Sequence, residues 1–232
     1  MPSSPRTAVA IIWTALHAAV IAAALVVQVV LLASEAASPP GATRYIRFVS
    51  YFTVQSNVLV LLSLIGLLLR PTGPSGMLWR VIRLDGMLGI VITGLVYNTV
   101  LAGLEDLAGA RQYVNLSLHA VSPLMAVIGW LVLGPGARFT TRVLAWAMIW
   151  PIAWLVYTFV HGGISRWYPY PFLDADRLGV GRAVVQSGVV AVIGVALGAL
   201  LVLVDRRWPR RPLQPPDGRS SLESSGRPTV GA

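Results

Sequence analysis

The chain has 232 residues, of which 56% are hydrophobic and 12% are charged, and its formal net charge is +9. Soluble globular domains are about one quarter charged, so a composition this apolar excludes an ordinary water-soluble protein. The absence of cysteine excludes disulfides, thiol catalysis and cysteine-based metal sites. Basic residues beside membrane spans are explained by their role in setting the orientation of a membrane protein. The positive charge therefore predicts no nucleic-acid partner.

Six uncharged apolar stretches follow one another along the chain. They are Ala8–Leu32, Phe48–Leu69, Gly86–Leu104, Val114–Leu133, Val143–Val160 and Ala183–Val204. A helix rises about 1.5 Å per residue, so roughly 20 residues cross a hydrocarbon core about 30 Å thick. Each stretch must be helical, because an unpaired backbone amide is costly in lipid. The sequence therefore predicts an all-α fold, a polytopic membrane protein with a bundle of six transmembrane helices over residues 1–204.

The arginines are divided unequally between the two sides of this predicted bundle. The side that holds both termini receives the larger share, including a cluster directly after the sixth span at Arg206, Arg207, Arg210 and Arg211. The positive-inside rule places that side in the cytoplasm. We therefore expect a multi-pass protein of the plasma membrane with both termini cytoplasmic. Residues 205–232 are rich in Pro, Ser and Arg, which predicts a disordered, basic cytoplasmic tail.

Polar side chains gather at the predicted outer ends of the second and fourth spans. Ser50, Thr53 and Asn57 stand at i, i+3 and i+7 and would share one helical face, while Asn115 and His119 are four residues apart. A neutral histidine can activate a hydroxyl for attack on an ester. The pattern favours Ser50 or Thr53 as nucleophile and His119 as base, with Asn57 or Asn115 at the oxyanion. The same residue types also join neighbouring membrane helices by hydrogen bonds.

The fifth span and the loop after it add further polar groups. His161 closes the fifth span, and the loop that follows is rich in aromatic residues and proline and contains Tyr170 and Asp174. We expect His161 and this loop to shape or cover a pocket. The alternative is a metal site formed by two histidines with Asp174 or Asp106. Because no HExxH motif is present, we expect neither a metal nor a cofactor.

Three motifs surround these residues. The second span opens with an aromatic residue and then a hydroxyl, the fourth carries Asn, His and Pro, and a His and a Trp precede a Tyr-Pro-Phe-Leu-acid loop. The segments concerned are Arg47–Asn57, Asn115–Pro123 and His161–Asp174. Together they resemble the androgen-induced-protein family and its bacterial six-span relatives.

Animal members of that family are membrane threonine hydrolases that cleave esters of fatty acids with hydroxy fatty acids, using a Thr in the second span and a His in the fourth. The resemblance implies that His119 is the catalytic histidine. Counting from the shared aromatic residue places Ser50 at the nucleophile position, whereas Thr53 keeps the residue type one turn later.

We therefore expect a membrane-embedded Ser/Thr-type hydrolase of lipid-like acyl esters that is surrounded by membrane lipids. The alternative is a non-enzymatic polytopic protein that binds or transports a hydrophobic ligand, as a homodimer in which six spans form half of a carrier. Transporters typically show inverted repeats or helices broken at mid-membrane, and neither is evident in the sequence. An enzyme should bring His119 within about 4 Å of a hydroxyl on the second span.

Overall fold

The computed structural model describes residues 5–34, 41–70, 76–104, 107–133 and 138–207. These residues form an all-α bundle without strands, and six of its helices are long and apolar enough to cross a membrane. The spanning helices are α1 (Pro5–Ser34), α3 (Phe52–Leu69), α4 (Met77–Leu101), α5 (Ala110–Leu133), α6 (Thr141–Ser165) and α8 (Val180–Arg207). Two short helices, α2 (Ala42–Ser50) and α7 (Ala175–Leu178), precede α3 and α8. The predicted fold class, a polytopic six-helix bundle, is confirmed, whereas the predicted tail beyond Arg207 lies outside the described residues.

The third spanning helix is longer than its apolar stretch. It begins at Met77, whereas the uncharged residues begin at Gly86. Arg80, Arg83 and Asp85 therefore lie inside the helix. Long arginine side chains near the end of a membrane helix can carry their charge to the interface. The helix can therefore begin before the apolar stretch does.

The second predicted span is divided at Tyr51, which has an extended backbone (φ −67°, ψ 128°). The carbonyl of Ser50 accepts the indole N–H of Trp154 at 2.9 Å. The N–H of Val54, which would bond to that carbonyl in a continuous helix, instead donates to the carbonyl of Tyr51 at 3.1 Å. A tertiary hydrogen bond thus takes the place of a helical one, and the prediction of a continuous second span does not hold at this residue.

The centre of the bundle is α4, which packs against α3, α5, α6 and α8, while α1 packs on α3 and α5. The closest approach is between α3 and α4. A Cβ atom at Gly86 would lie 3.1 Å from backbone atoms of Leu59 and Val60, and one at Gly89 would lie 2.7 Å from the Ser56 hydroxyl. Small residues at such positions let two membrane helices come together, and here they fix α3 against the central helix.

The helix α5 departs from regular α-helical geometry around His119. Residues Ser117–Val121 form a π-helical turn, a feature that often occurs at functional sites. Pro123 follows and has no N–H, so the carbonyl of His119 lacks its usual helical donor. The side-chain amide of Asn98 on α4 donates to that carbonyl at 3.2 Å, and Asn57 on α3 donates to the preceding carbonyl at 3.3 Å. Two neighbouring helices therefore hold the turn that carries His119.

Candidate active site

Thr53 and His119 form a hydroxyl–imidazole pair. Thr53 is the second residue of α3, and His119 lies in the π-helical turn of α5. The Oγ1 atom of Thr53 lies 3.2 Å from the Nε2 atom of His119. Thr53 is buried and His119 is half-buried. The separation is within the reach required of a general base and its nucleophile.

A backbone carbonyl determines which nitrogen of His119 carries the proton. The Nδ1 atom lies 3.0 Å from the carbonyl oxygen of Asn115. Because a carbonyl only accepts, Nδ1–H is the donor, and in the neutral imidazole Nε2 is then an acceptor. The hydroxyl of Thr53 therefore donates to Nε2. In this tautomer His119 is arranged to remove the hydroxyl proton of Thr53.

Tyr97 holds the imidazole from its face. The rings of Tyr97 and His119 are stacked, with centroids 4.0 Å apart and an interplanar angle of 28°. The side-chain amide of Asn115 donates to the Tyr97 hydroxyl. Asn115 was predicted near the oxyanion, but its amide is engaged with Tyr97 and its carbonyl with His119. Its contacts orient the base.

Tyr170 reaches the pair from the segment between α6 and α7. Its hydroxyl oxygen accepts the backbone N–H of Thr53 at 3.2 Å and lies 3.3 Å from Thr53 Oγ1. Since the Thr53 hydroxyl donates to His119, the Tyr170 hydroxyl donates to Thr53 Oγ1. Burial raises the pKa of Tyr170 to about 12, although the hydrogen bond from the backbone N–H of Thr53 opposes the shift. Tyr170 is therefore a neutral donor near neutral pH.

The hydroxyl of Tyr170 also occupies the N-terminus of α3, an 18-residue helix. The first N–H groups of a helix lack helical acceptors, and the helix dipole favours negative charge there. An oxyanion that formed beside Thr53 would therefore lie close to an O–H donor and to the positive end of a helix.

Ser50, the other predicted nucleophile, does not contact His119 in any hydrogen bond of the described residues. Its Oγ atom lies 2.7 Å from the carbonyl of Ile46 and 2.6 Å from the hydroxyl of Tyr157. The prediction that Ser50 shares one helical face with Thr53 is wrong, because α2 ends at Ser50 and the chain is extended at Tyr51. Of the two predicted hydroxyls, the structure brings only Thr53 to the histidine.

Three other predicted pocket residues stabilise the surrounding structure. The side-chain nitrogen of Asn57 donates to two backbone carbonyls, at 2.9 and 3.3 Å, so it is not aimed at an oxyanion. The Nδ1 atom of His161 lies 3.3 Å from the hydroxyl of Ser165 in the next turn. Asp174 accepts two N–H groups of α7 at 3.1 and 3.0 Å and caps that helix.

An apolar cavity of about 220 Å³ lies between α3, α4, α6 and α8, and Thr53 is one of the residues that line it. Its lining includes Phe52, Leu88, Leu155, Leu173 and Val190. Thr93 also lines it and is buried, and its hydroxyl has no hydrogen-bond partner among the described residues. With so few polar groups in its wall, the cavity suits a hydrocarbon chain.

Within the described ranges, no group of three His, Asp or Glu side chains lies close enough together to hold a metal ion. Asp106, one of the predicted ligands, lies outside those ranges.

The sequence patterns do not single out Tyr97 and Asn98, which contact His119 from the end of α4. The available signal was a pair of polar residues at the end of an otherwise apolar span.

No family model, curated protein or solved structure matches the chain. The resemblance to the androgen-induced-protein family therefore stays a prediction, and the chemistry of the site is argued from its geometry.

Proposed function

We propose that the protein is a membrane-embedded hydrolase of lipid-like acyl esters, with Thr53 as nucleophile and His119 as general base. The observation that carries the proposal is the 3.2 Å contact between Thr53 Oγ1 and His119 Nε2. The carbonyl of Asn115 on Nδ1 supports it, because a base must present its free nitrogen to the nucleophile.

The reaction has two halves. Thr53 Oγ1 attacks the carbonyl carbon of the ester while its proton passes to His119 Nε2. The tetrahedral intermediate expels the alcohol oxygen, which takes that proton, and an acyl-threonine ester remains. His119 then removes a proton from water, whose oxygen attacks the acyl carbon. Collapse of this second intermediate returns the proton to Thr53 and releases the carboxylic acid.

The negative charge of each intermediate develops on the former carbonyl oxygen. The hydroxyl of Tyr170 and the N-terminus of α3 are the groups that would stabilise this charge. Burial keeps Tyr170 protonated, because it raises the pKa of the phenol to about 12. A protonated phenol can donate a hydrogen bond to the oxyanion, whereas a phenolate can only accept one.

The location of the site follows from the proposed topology. The arginine distribution favours both termini in the cytoplasm of a cell whose plasma membrane holds the protein. Thr53, near the start of the second spanning helix, then lies toward the outer surface. Water would reach the site from outside the cell, and the acyl chain would lie in the cavity within the membrane.

The test is labelling by a fluorophosphonate of the purified protein in lipid nanodiscs, with each variant shown to be folded. We expect wild type and Ser50→Ala to be labelled, with the phosphonate on Thr53 by mass spectrometry. Thr53→Ala should abolish labelling, and His119→Ala should slow it by roughly a hundredfold or more. Phosphonate on Ser50, or undiminished labelling of Thr53→Ala, would contradict the assignment.

The second candidate function is non-enzymatic binding or transport of a hydrophobic ligand. The apolar wall of the 220 Å³ cavity favours it, because such a wall suits a bound ligand whether or not that ligand is cleaved. Folded wild type that is not labelled and hydrolyses no acyl ester, yet retains a lipid through purification, would favour this function over catalysis.

A further inference from the structure

The cavity that Thr53 lines has an opening on the side of the bundle. Three of its lining residues are also exposed at the surface of the protein: Ile152 on α6 (61% exposed) and Ala191 and Val195 (51% exposed) on α8. α8 packs on the first turns of α6 (Thr141–Ala147), whereas its contacts with the later turns of α6 are few. A gap between the two helices therefore joins the cavity to the outside of the bundle.

The gap faces the hydrocarbon of the membrane. Ile152 lies 13 residues before the end of α6, and Ala191 and Val195 lie 11 and 15 residues after the start of α8. At about 1.5 Å per residue these positions are roughly 16 to 22 Å from the helix ends, near the middle of a core about 30 Å thick. The surface around the gap is apolar, since Ile149 and Val156, one turn before and after Ile152, are also exposed. An acyl chain can cross such a gap without exposing apolar surface to water.

The size of the cavity limits what it can enclose. A cavity of about 150 Å³ holds benzene, with six carbons, so one of 220 Å³ encloses roughly nine carbons of an acyl chain. A longer chain with its ester at Thr53 must continue out of the cavity. The gap between α6 and α8 leads from the cavity directly into lipid.

From this geometry we infer that the gap between α6 and α8 is the passage for the acyl chain of a long-chain ester resident in the membrane. The inference rests on the proposed function, because the ester is placed at Thr53. Ile152, Ala191 and Val195 then determine whether chains longer than the cavity are accepted. Short-chain esters fit inside the cavity and do not need the gap.

The absence of native cysteine permits a direct test, because an introduced cysteine is the only thiol. Ala191→Cys would be assayed in nanodiscs before and after modification with benzyl methanethiosulfonate. The substrates are p-nitrophenyl palmitate and p-nitrophenyl butyrate. We expect modification to lower palmitate hydrolysis by roughly tenfold or more, to spare butyrate hydrolysis, and to be reversed by dithiothreitol.

The matched control is Val192→Cys, the next residue of the same helix. Val192 is 70% exposed and does not line the cavity, so its modification should leave the ratio of the two activities unchanged. Complete modification of Ala191→Cys without a change in that ratio would overturn the inference. An equal loss of both activities would also overturn it, because it would locate the effect at the catalytic pair rather than at the passage.

A second measurement does not depend on turnover. Leu88 and Leu173 line the cavity but are only 3% and 1% exposed. A photoreactive stearoyl ester should crosslink to both residues, and modification of Ala191→Cys should prevent these crosslinks. Persistent crosslinks to both residues after modification would show another route and defeat the inference. Failure of the proposed function has a different signature: wild type hydrolyses neither ester, or the hydrolysis survives Thr53→Ala.

Discussion

The side-chain amide of Asn98 donates to the backbone carbonyl of His119, 3.2 Å away. That carbonyl receives no hydrogen bond from Pro123, four residues later in the same helix, because proline has no N–H. The side-chain amide of Asn57 likewise donates to the carbonyl of Leu118, the residue before His119. The orientation of the proposed base thus depends on two asparagines of neighbouring helices, which replace hydrogen bonds that the π-helical turn and the proline remove from α5.

Replacing Asn57 with Leu should lower the free energy of unfolding by roughly 1–3 kcal/mol, because it leaves the buried carbonyl of Leu118 without the donor that Asn57 supplies. Asn98→Leu should have a smaller effect, since Asn98 is exposed. Thermal unfolding in detergent measures both. The Pro123→Ala background restores an N–H to α5, so it should make Asn98→Leu milder. Equal effects of Asn98→Leu in the two backgrounds would contradict this account.

The stacked ring of Tyr97 should matter more to the reactivity of Thr53 than its hydroxyl does. Tyr97→Phe keeps the ring that stacks on His119 at 4.0 Å and loses only the hydrogen bond with Asn115. Tyr97→Leu loses the ring as well, so His119 can turn away from Thr53. We expect the rate of phosphonate labelling to fall by roughly tenfold in Tyr97→Leu and by less in Tyr97→Phe. The reverse order would show that the hydroxyl of Tyr97 positions the base.

Replacing Tyr170 with Phe should reduce the loss of stability at alkaline pH. Burial raises the pKa of Tyr170 from 10.0 to about 12, so the folded protein holds this proton more tightly than the unfolded chain. The resulting stabilisation is complete below pH 10 and is lost as the pH rises through about 12. Two pKa units correspond to roughly 2–3 kcal/mol. The melting temperature of wild type should therefore fall more steeply above about pH 10 than that of Tyr170→Phe.

Tyr113→Phe is the control for this comparison, because Tyr113 is 72% exposed. Its melting temperature should follow that of wild type across the same pH range. A Tyr170→Phe profile that is parallel to wild type would mean that Tyr170 contributes nothing to the alkaline loss of stability.

Gly86→Ala should destabilise the bundle by roughly 1–3 kcal/mol, because the added Cβ would overpack a close backbone contact between α3 and α4. The backbone of Leu59 and Val60, 3.1 Å from that Cβ, belongs to α3 and cannot move independently of it. Gly188→Ala is the matched control, since a Cβ there meets nothing within 4 Å. Gly188→Ala should be neutral or slightly stabilising, and equal effects of the two changes would argue against close packing at Gly86.

The sequence predicts the spans well because each is a long run of apolar residues, and lipid allows such a run only one backbone structure. It also predicts that Thr53 and His119 lie at one level of the bundle. It could not predict the break at Tyr51, because the cause is a hydrogen bond from Trp154, more than a hundred residues away. The same limit applies to Tyr170: the motif predicts a nearby loop, but the contact of its hydroxyl with Thr53 depends on how α3 begins.

The bond between Tyr170 and the start of α3 joins residues 117 positions apart, which has a consequence for the order of assembly. The ribosome delivers α3 to the membrane long before it makes Tyr170. Until then the first N–H groups of α3 must find their acceptors in water or lipid headgroups. The second span can therefore reach its final arrangement only after the fifth has been inserted. A nascent chain that ends after α5 holds both Thr53 and His119, yet its site is still incomplete.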